Sequence, residues 1–119
     1  MRRKLVVGNW KMHGSKASIA ELLAGLQSSV PPLSRTDVAV CPPFVYLAWT
    51  QERLPAAVAL GAQNVAGETQ GAFTGEVAAP MLRELGCRYV IVGHSERRSL
   101  FGETDEQVAR KVERVPPQG

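Results

Sequence analysis

A parallel α/β fold of four successive strand–helix units is the architecture this sequence predicts, and three observations carry it. Short apolar runs at Leu5-Val6-Val7, Val38-Ala39-Val40, Ala57 to Gly61 and Arg88 to Val92 alternate with segments of helical periodicity. The runs are apolar without a regular polar alternate, as strands of a covered parallel sheet are. Polar, charged and glycine residues gather directly after the runs, where right-handed crossovers collect the loops of such a sheet on one face.

The elements follow in order. Leu5-Val6-Val7 leads into Gly8-Asn9-Trp10-Lys11 and reads as a first strand buried on both faces. Ser18 with Glu21 makes a capping-box pattern, and Ile19, Leu22, Leu23, Leu26 and Val30 recur at helical spacing until Pro31-Pro32 stops the helix. Strand two, Val38 to Val40, is broken by Pro42-Pro43, and a second helix from about Phe44 to Leu54 carries Leu47 and Trp49. Ala57 to Gly61 is strand three. The segment Asn64 to Glu76 holds three glycines and neither periodicity, so it reads as a long loop with a functional reason for its length. Pro80 suits the first turn of a short helix with Met81, Leu82 and Leu85 inward and Gly86 just past its end. After strand four, Arg88 to Val92, Thr104 with Gln107 caps a last helix whose Val108, Ala109, Val112 and Val115 form its apolar side, ended by Pro116-Pro117. The order is (βα)4, a single domain over residues 1–119 with a linker-like, mobile tail at 116–119.

Composition narrows the function. Charged residues are 21% and hydrophobics 45%, the balance of an ordinary soluble domain. The net charge of +3 comes without a long basic run or interleaved aromatics, which argues against nucleic acid and leaves small anions as the modest inference. Only three apolar residues separate Met1-Arg2-Arg3-Lys4 from Gly8, too few for a signal-peptide core, and no stretch approaches membrane-spanning length; a cytoplasmic protein is expected. Cys41 and Cys87 lack metal-like spacing and read as small buried hydrophobes.

The chemistry-bearing residues cluster after the strands. Gly93-His94-Ser95-Glu96-Arg97-Arg98 follows Tyr89-Val90-Ile91-Val92 directly, and Asn9 and Lys11 follow strand one. Taken alone, Lys11 is a solvated surface lysine and His94 a structural histidine. On adjacent loop ends, a lysine, a histidine and a glutamate fit proton transfer beside a carbonyl.

Four runs, Gly8-Asn9-Trp10-Lys11-Met12, Gly61-Ala62-Gln63-Asn64, Gly71-Ala72-Phe73-Thr74-Gly75-Glu76 and Val92-Gly93-His94-Ser95-Glu96-Arg97-Arg98, resemble the triosephosphate isomerases in order and spacing. The match covers about Lys4 to Glu113 and implies the first four units of an eight-unit TIM barrel, a (βα)4 half-barrel of parallel strands with outer helices. By resemblance, Asn9 and Lys11 are substrate-binding, the lysine stabilising charge that develops on substrate oxygens. His94 corresponds to the electrophile that polarises the carbonyl as a neutral imidazole, for which this family is itself the standard illustration. Ser95 corresponds to the residue at the turn supporting the site, and Glu96 to a second carboxylate close to Lys11. Arg97 pairs in the family with Glu76 of the partner subunit, and Thr74 belongs to the same interface loop, which reaches the partner's site near Lys11. Trp10 reads as core or interface packing, and His13, where the family usually has asparagine, has no catalytic role. The resemblance implies no cofactor and no metal.

The family's general-base glutamate, its lid and its phosphate-binding loops belong to later strands, and these 119 residues contain no counterpart. A second copy standing in for the later strands would place Val40-Cys41-Pro42-Pro43-Phe44 where the base belongs, with no carboxylate. The expectation is therefore weak or absent turnover by this chain alone, with Glu96 as the carboxylate that could stand in for weak enolisation. The alternative is a non-catalytic assembly module, a truncated paralogue or an engineered half-barrel. Open strand edges and an uncovered inner face predict a homo-oligomer.

Overall fold

The computed structural model describes residues 4–29 and 36–115. Strands β1 (Lys4–Asn9), β2 (Thr36–Cys41), β3 (Val58–Ala62) and β4 (Cys87–Val90) form one sheet in the order β1-β2-β3-β4, with every neighbouring pair parallel. Helices α1 (Lys16–Ser29), α2 (Leu47–Gln51) and α3 (Ala79–Glu84) lie in the connections between strands, α4 (Ser95–Phe101) and α5 (Asp105–Arg114) follow β4, and a 3-10 turn at Phe44–Tyr46 precedes α2. Consecutive order without an inserted strand is the arrangement of half of an eight-stranded β/α barrel. The stop of the first helix at Val30 to Pro32 and the tail at 116–119 lie outside the described residues.

Burial concentrates on β3. Leu47, Leu60, Ala62, Val65, Ala79 and Leu82 form the buried core, with Phe44, Leu54, Val77, Cys87, Val90, Val92 and Val115 packed around it. β1 departs from expectation: Leu5, Val6 and Val7 are 48%, 54% and 41% exposed rather than buried on both faces. The cause is position, because β1 pairs only with β2 and stands at the sheet edge among the described residues. Gly61 marks the register shift of β3 against β4. A Cβ there would lie 2.6 Å from Cys41 Sγ and 3.3 Å from the Tyr89 carbonyl oxygen, so the close approach of three strands requires glycine.

The helix ends show which local signals were decisive. α1 begins with a reciprocal pair of serines: the Ser18 amide donates to Ser15 Oγ (3.1 Å), and the Ser15 amide to Ser18 Oγ (2.9 Å). This places the cap three residues before the expected Ser18, whose hydroxyl does the work expected of Glu21. Of the predicted stripe, Ile19 and Leu23 are buried while Leu22 is 45% exposed. In α3, Pro80 sits in the first turn as expected and Gly86 follows the end at φ 87°, but of the three residues expected inward only Leu82 is buried, while Met81 and Leu85 are exposed. α5 carries the predicted capping box of Thr104 and Gln107. Burial pushes both the Cys41 and the Cys87 thiols up to about 11, with the neighbouring Cys87 adding to the effect on Cys41, so both stay protonated at neutral pH.

α5 buries something the apolar pattern did not announce. Val112 is 52% exposed and Ala109 is also exposed, whereas Lys111 is buried. Its ammonium donates to Glu103 Oε2 at 2.6 Å and to Asn64 Oδ1 at 2.8 Å, and Arg97 Nε donates to the same Glu103 oxygen at 2.9 Å. Burial works to raise the Glu103 pKa, but hydrogen bonds and positive charge from Lys111 and Arg97 outweigh it and hold the carboxyl below the usual glutamate range. A depressed carboxylate contributes stability above its unfolded value of about 4.3 and loses it as pH falls through the folded value. Glu103→Gln strands Lys111 without its counter-charge, and should cost about 3–5 kcal/mol at neutral pH. Urea melts should show that loss together with a shallower decline of stability below about pH 4.3; a variant with the parent's melt and acid profile would contradict it.

Candidate active site

Because all four strands run in one direction, their carboxyl ends and the following loops share one edge of the sheet. An open cleft of about 330 Å³ lies there, and Asn9, Lys11, Phe44, Gln63, His94 and Glu96 are among its lining residues. Asn9 is the last residue of β1, and its side-chain oxygen accepts a hydrogen bond from the Lys11 amide at 2.9 Å. This local bond stabilises a tight turn in which Lys11 adopts φ 53°, a left-handed conformation that costs a non-glycine residue roughly 1–2 kcal/mol.

The turn is held from its other side by a residue to which sequence reasoning gave no role. Gln63, just beyond β3, donates through Nε2 to the Lys11 carbonyl and to the Cys41 carbonyl, both at 2.8 Å. One amide group thereby ties the ends of β1 and β2 to β3. Its position in Gly61-Ala62-Gln63-Asn64 was the available signal, since a polar residue directly after a buried strand has backbone carbonyls of adjacent strands within reach.

The segment His94 to Arg98, expected as a loop, is the start of α4. His94 is the N-cap: its Nδ1 accepts a hydrogen bond from the Glu96 amide at 3.0 Å. A histidine is an unusual cap, so the pattern of capping residues does not reveal it. With the Nδ1 lone pair occupied, the neutral ring carries its proton on Nε2, which remains a donor. Gly93 makes the turn into the cap at φ 66°, and a Cβ there would approach Val108 of α5 to 3.1 Å. Glu96 then lies in the first turn of α4, with Oε2 3.0 Å from Lys11 Nζ. Both side chains are about half exposed, so the pair orients the ammonium more than it stabilises the fold.

The remaining predicted residues fall in two places. Ser95 opens α4 and is exposed. Thr74 and Glu76 lie exposed on the loop after β3, and within the chain Arg97 turns to Glu103 and stacks 4.8 Å from the Phe101 ring. Asn9, Lys11, His94 and Glu96 are thus brought together in the chain, and Arg97 lines the same cleft while pairing with Glu103; Thr74 and Glu76 are not among its lining residues. Among the described residues no group of three or more His, Cys, Asp or Glu is arranged to hold a metal, and no helix is long and apolar enough to cross a membrane.

Replacing Gln63 by leucine removes both donated bonds and leaves the strained Lys11 peptide without its carbonyl partner. A loss of about 1–3 kcal/mol is expected by chemical denaturation. Stability equal to the parent's would show that the amide does not hold the turn.

Comparison with known proteins gives matches along nearly the whole chain. The family model for triosephosphate isomerase matches residues 4–119. The triosephosphate isomerase of Cupriavidus taiwanensis is 59% identical over 116 residues, covering 97% of this chain and 47% of that protein. Those of Thiobacillus denitrificans and Dechloromonas aromatica are 60% and 57% identical, covering 93% and 100% of this chain and 44% and 48% of theirs. The chain spans about half the length of these relatives. With four parallel strands in sequential order and the site residues at their carboxyl ends, it belongs to the triosephosphate isomerase family.

Proposed function

We propose that the chain supplies the carbonyl-polarising half of a triosephosphate isomerase site, acting in the interconversion of dihydroxyacetone phosphate and glyceraldehyde 3-phosphate in glycolysis and gluconeogenesis. The observation that carries this reading is the convergence of Asn9, Lys11, His94 and Glu96 on one cleft, with the lysine held 3.0 Å from Glu96. When the carbon beside the carbonyl loses its proton, negative charge builds on the carbonyl oxygen. An ammonium from Lys11 and an N–H from His94 Nε2, both fixed beforehand, stabilise that charge more than the neutral ground state. Asn9 and Ser95 act by binding and by shaping the turns that present these groups. The proton acceptor is a separate matter: these residues hold no counterpart of the family's general base, which contributes about 10²- to 10⁴-fold. Turnover by this chain alone is therefore weak or nil, with Glu96 as the nearest carboxylate to substitute. We place the protein in the cytoplasm, without cofactor or metal.

A second reading, a self-associating assembly module, is favoured by one observation: the exposed apolar residues Leu5, Val6 and Val7 on β1, which among the described residues is an edge strand paired only with β2. In that reading Thr74, Glu76 and Arg97 serve contacts between copies. Sedimentation at low micromolar concentration should show a homo-oligomer, and a stably folded monomer there would sink it.

A coupled assay of triose phosphate interconversion at high protein concentration tests the first reading. Expected is slow turnover that falls about 10²-fold or more in His94→Gln, in line with loss of one oxyanion donor. Turnover indifferent to the substitution overturns the catalytic reading, and a null result from folded protein favours the assembly module.

A further inference from the structure

Arg98 stands beside the site residues and takes no part in their chemistry. It lies in α4, one turn beyond His94, and its neighbour Arg97 is occupied elsewhere by Glu103 and the Phe101 ring. Arg98 instead holds the backbone on both sides of His94. Its amide donates to the His94 carbonyl at 3.1 Å, and its side-chain Nε donates to the Gly93 carbonyl, also at 3.1 Å. The peptide groups before and after the histidine are therefore tied to a single residue.

The guanidinium is itself anchored. Its Nη1 pairs at 2.5 Å with Oδ1 of Asp105, in the first turn of α5, where a helix N-terminus favours a carboxylate. Asp105 is almost fully exposed, and an ion pair of this kind adds little to stability; its consequence is geometric, since it aims Nε at the Gly93 carbonyl. Gly93 is enclosed as well: a Cβ there would stand 3.1 and 3.3 Å from the two Val108 methyl carbons and 3.3 Å from Arg98 Nη2. From this turn at φ 66° the chain enters His94 at φ −58° and ψ 142°, the conformation in which Nδ1 accepts from the Glu96 amide.

We propose that Arg98 is a positioning residue for His94, with Asp105 as the anchor of its guanidinium, so that the placement of α5 reaches the histidine cap through the Gly93 carbonyl. Its bearing on catalysis rests on the reading above that His94 Nε2 meets a substrate oxygen. A donor fixed before substrate arrives needs no reorganisation as charge builds, so Arg98 acts on the chemistry without touching substrate.

The test is NMR of the parent, Arg98→Ala, Arg98→Lys and Asp105→Asn, following hydrogen exchange of the Glu96 amide and the imidazole nitrogen shifts of His94. A first-turn amide has no intrahelical acceptor, so protection at Glu96 reports the histidine cap. In Arg98→Ala the Glu96 amide should exchange about tenfold faster or more while β2 and β3 keep the parent's protection, and the His94 Nδ1 shift should move toward that of an imidazole in water. Asp105→Asn should give a smaller change of the same sign. Arg98→Lys should recover part of the protection, because an ammonium can donate to the Gly93 carbonyl but lacks the second arm that Asp105 holds. Unchanged Glu96 exchange and His94 shifts in Arg98→Ala overturn the proposal, as does a parent whose Glu96 amide exchanges like an open peptide. Loss of protection spread equally over β2 and β3 marks a merely structural residue and overturns it too, and a lysine variant no better than alanine overturns the role of the Gly93 bond. No readout depends on turnover, so failure of the catalytic reading and failure of this proposal are told apart.

Discussion

The Glu103 carboxylate, buried between Lys111 and Arg97, is the interaction on which the upper half of this structure depends. One oxygen accepts from two cations that come from α5 and α4, and Lys111 continues the link to Asn64 beyond β3. Three segments are thereby held in fixed relation by polar contacts. The buried Glu103 and Lys111 charges are tolerated because they face one another, which also makes the arrangement intolerant of partial loss. The position of α4, and with it the His94 cap, follows from this network.

The site above it is built from backbone geometry as much as from side-chain chemistry. Lys11 is placed by a left-handed turn that Asn9 satisfies from one side and Gln63 from the other. His94 is placed by being a helix cap, so that the bond fixing its ring also fixes its tautomer. The two groups proposed to face a substrate oxygen thus arrive through unrelated local devices, after β1 and β4. Parallel strand direction is what brings the devices to one edge.

The sequence disclosed what local rules govern. The four strands, the Thr104 and Gln107 box, Pro80 in a first turn and the glycine after α3 were legible because each reports a backbone requirement satisfied within a few residues. Asn9, Lys11, His94 and Glu96 were legible through their motifs, and the fold places them together. What escaped notice depended on distant partners. Lys111 looks like a surface residue until Glu103 and Asn64 arrive, and Gln63 gains meaning only from the carbonyls of residues 22 and 52 positions away. The exposure of Leu5 to Val7 reflects which strand lies beside β1, and no window of residues around them contains that fact.

The consecutive order of the sheet has a bearing on how the molecule is made. Each strand pairs with the one synthesised immediately before it, so a chain emerging from the ribosome offers every new strand a partner already present. The loops closed between neighbours are of moderate length, which keeps the entropic cost of each pairing low and repeated. Growth of this kind is additive: the template for each new strand is the last one laid down.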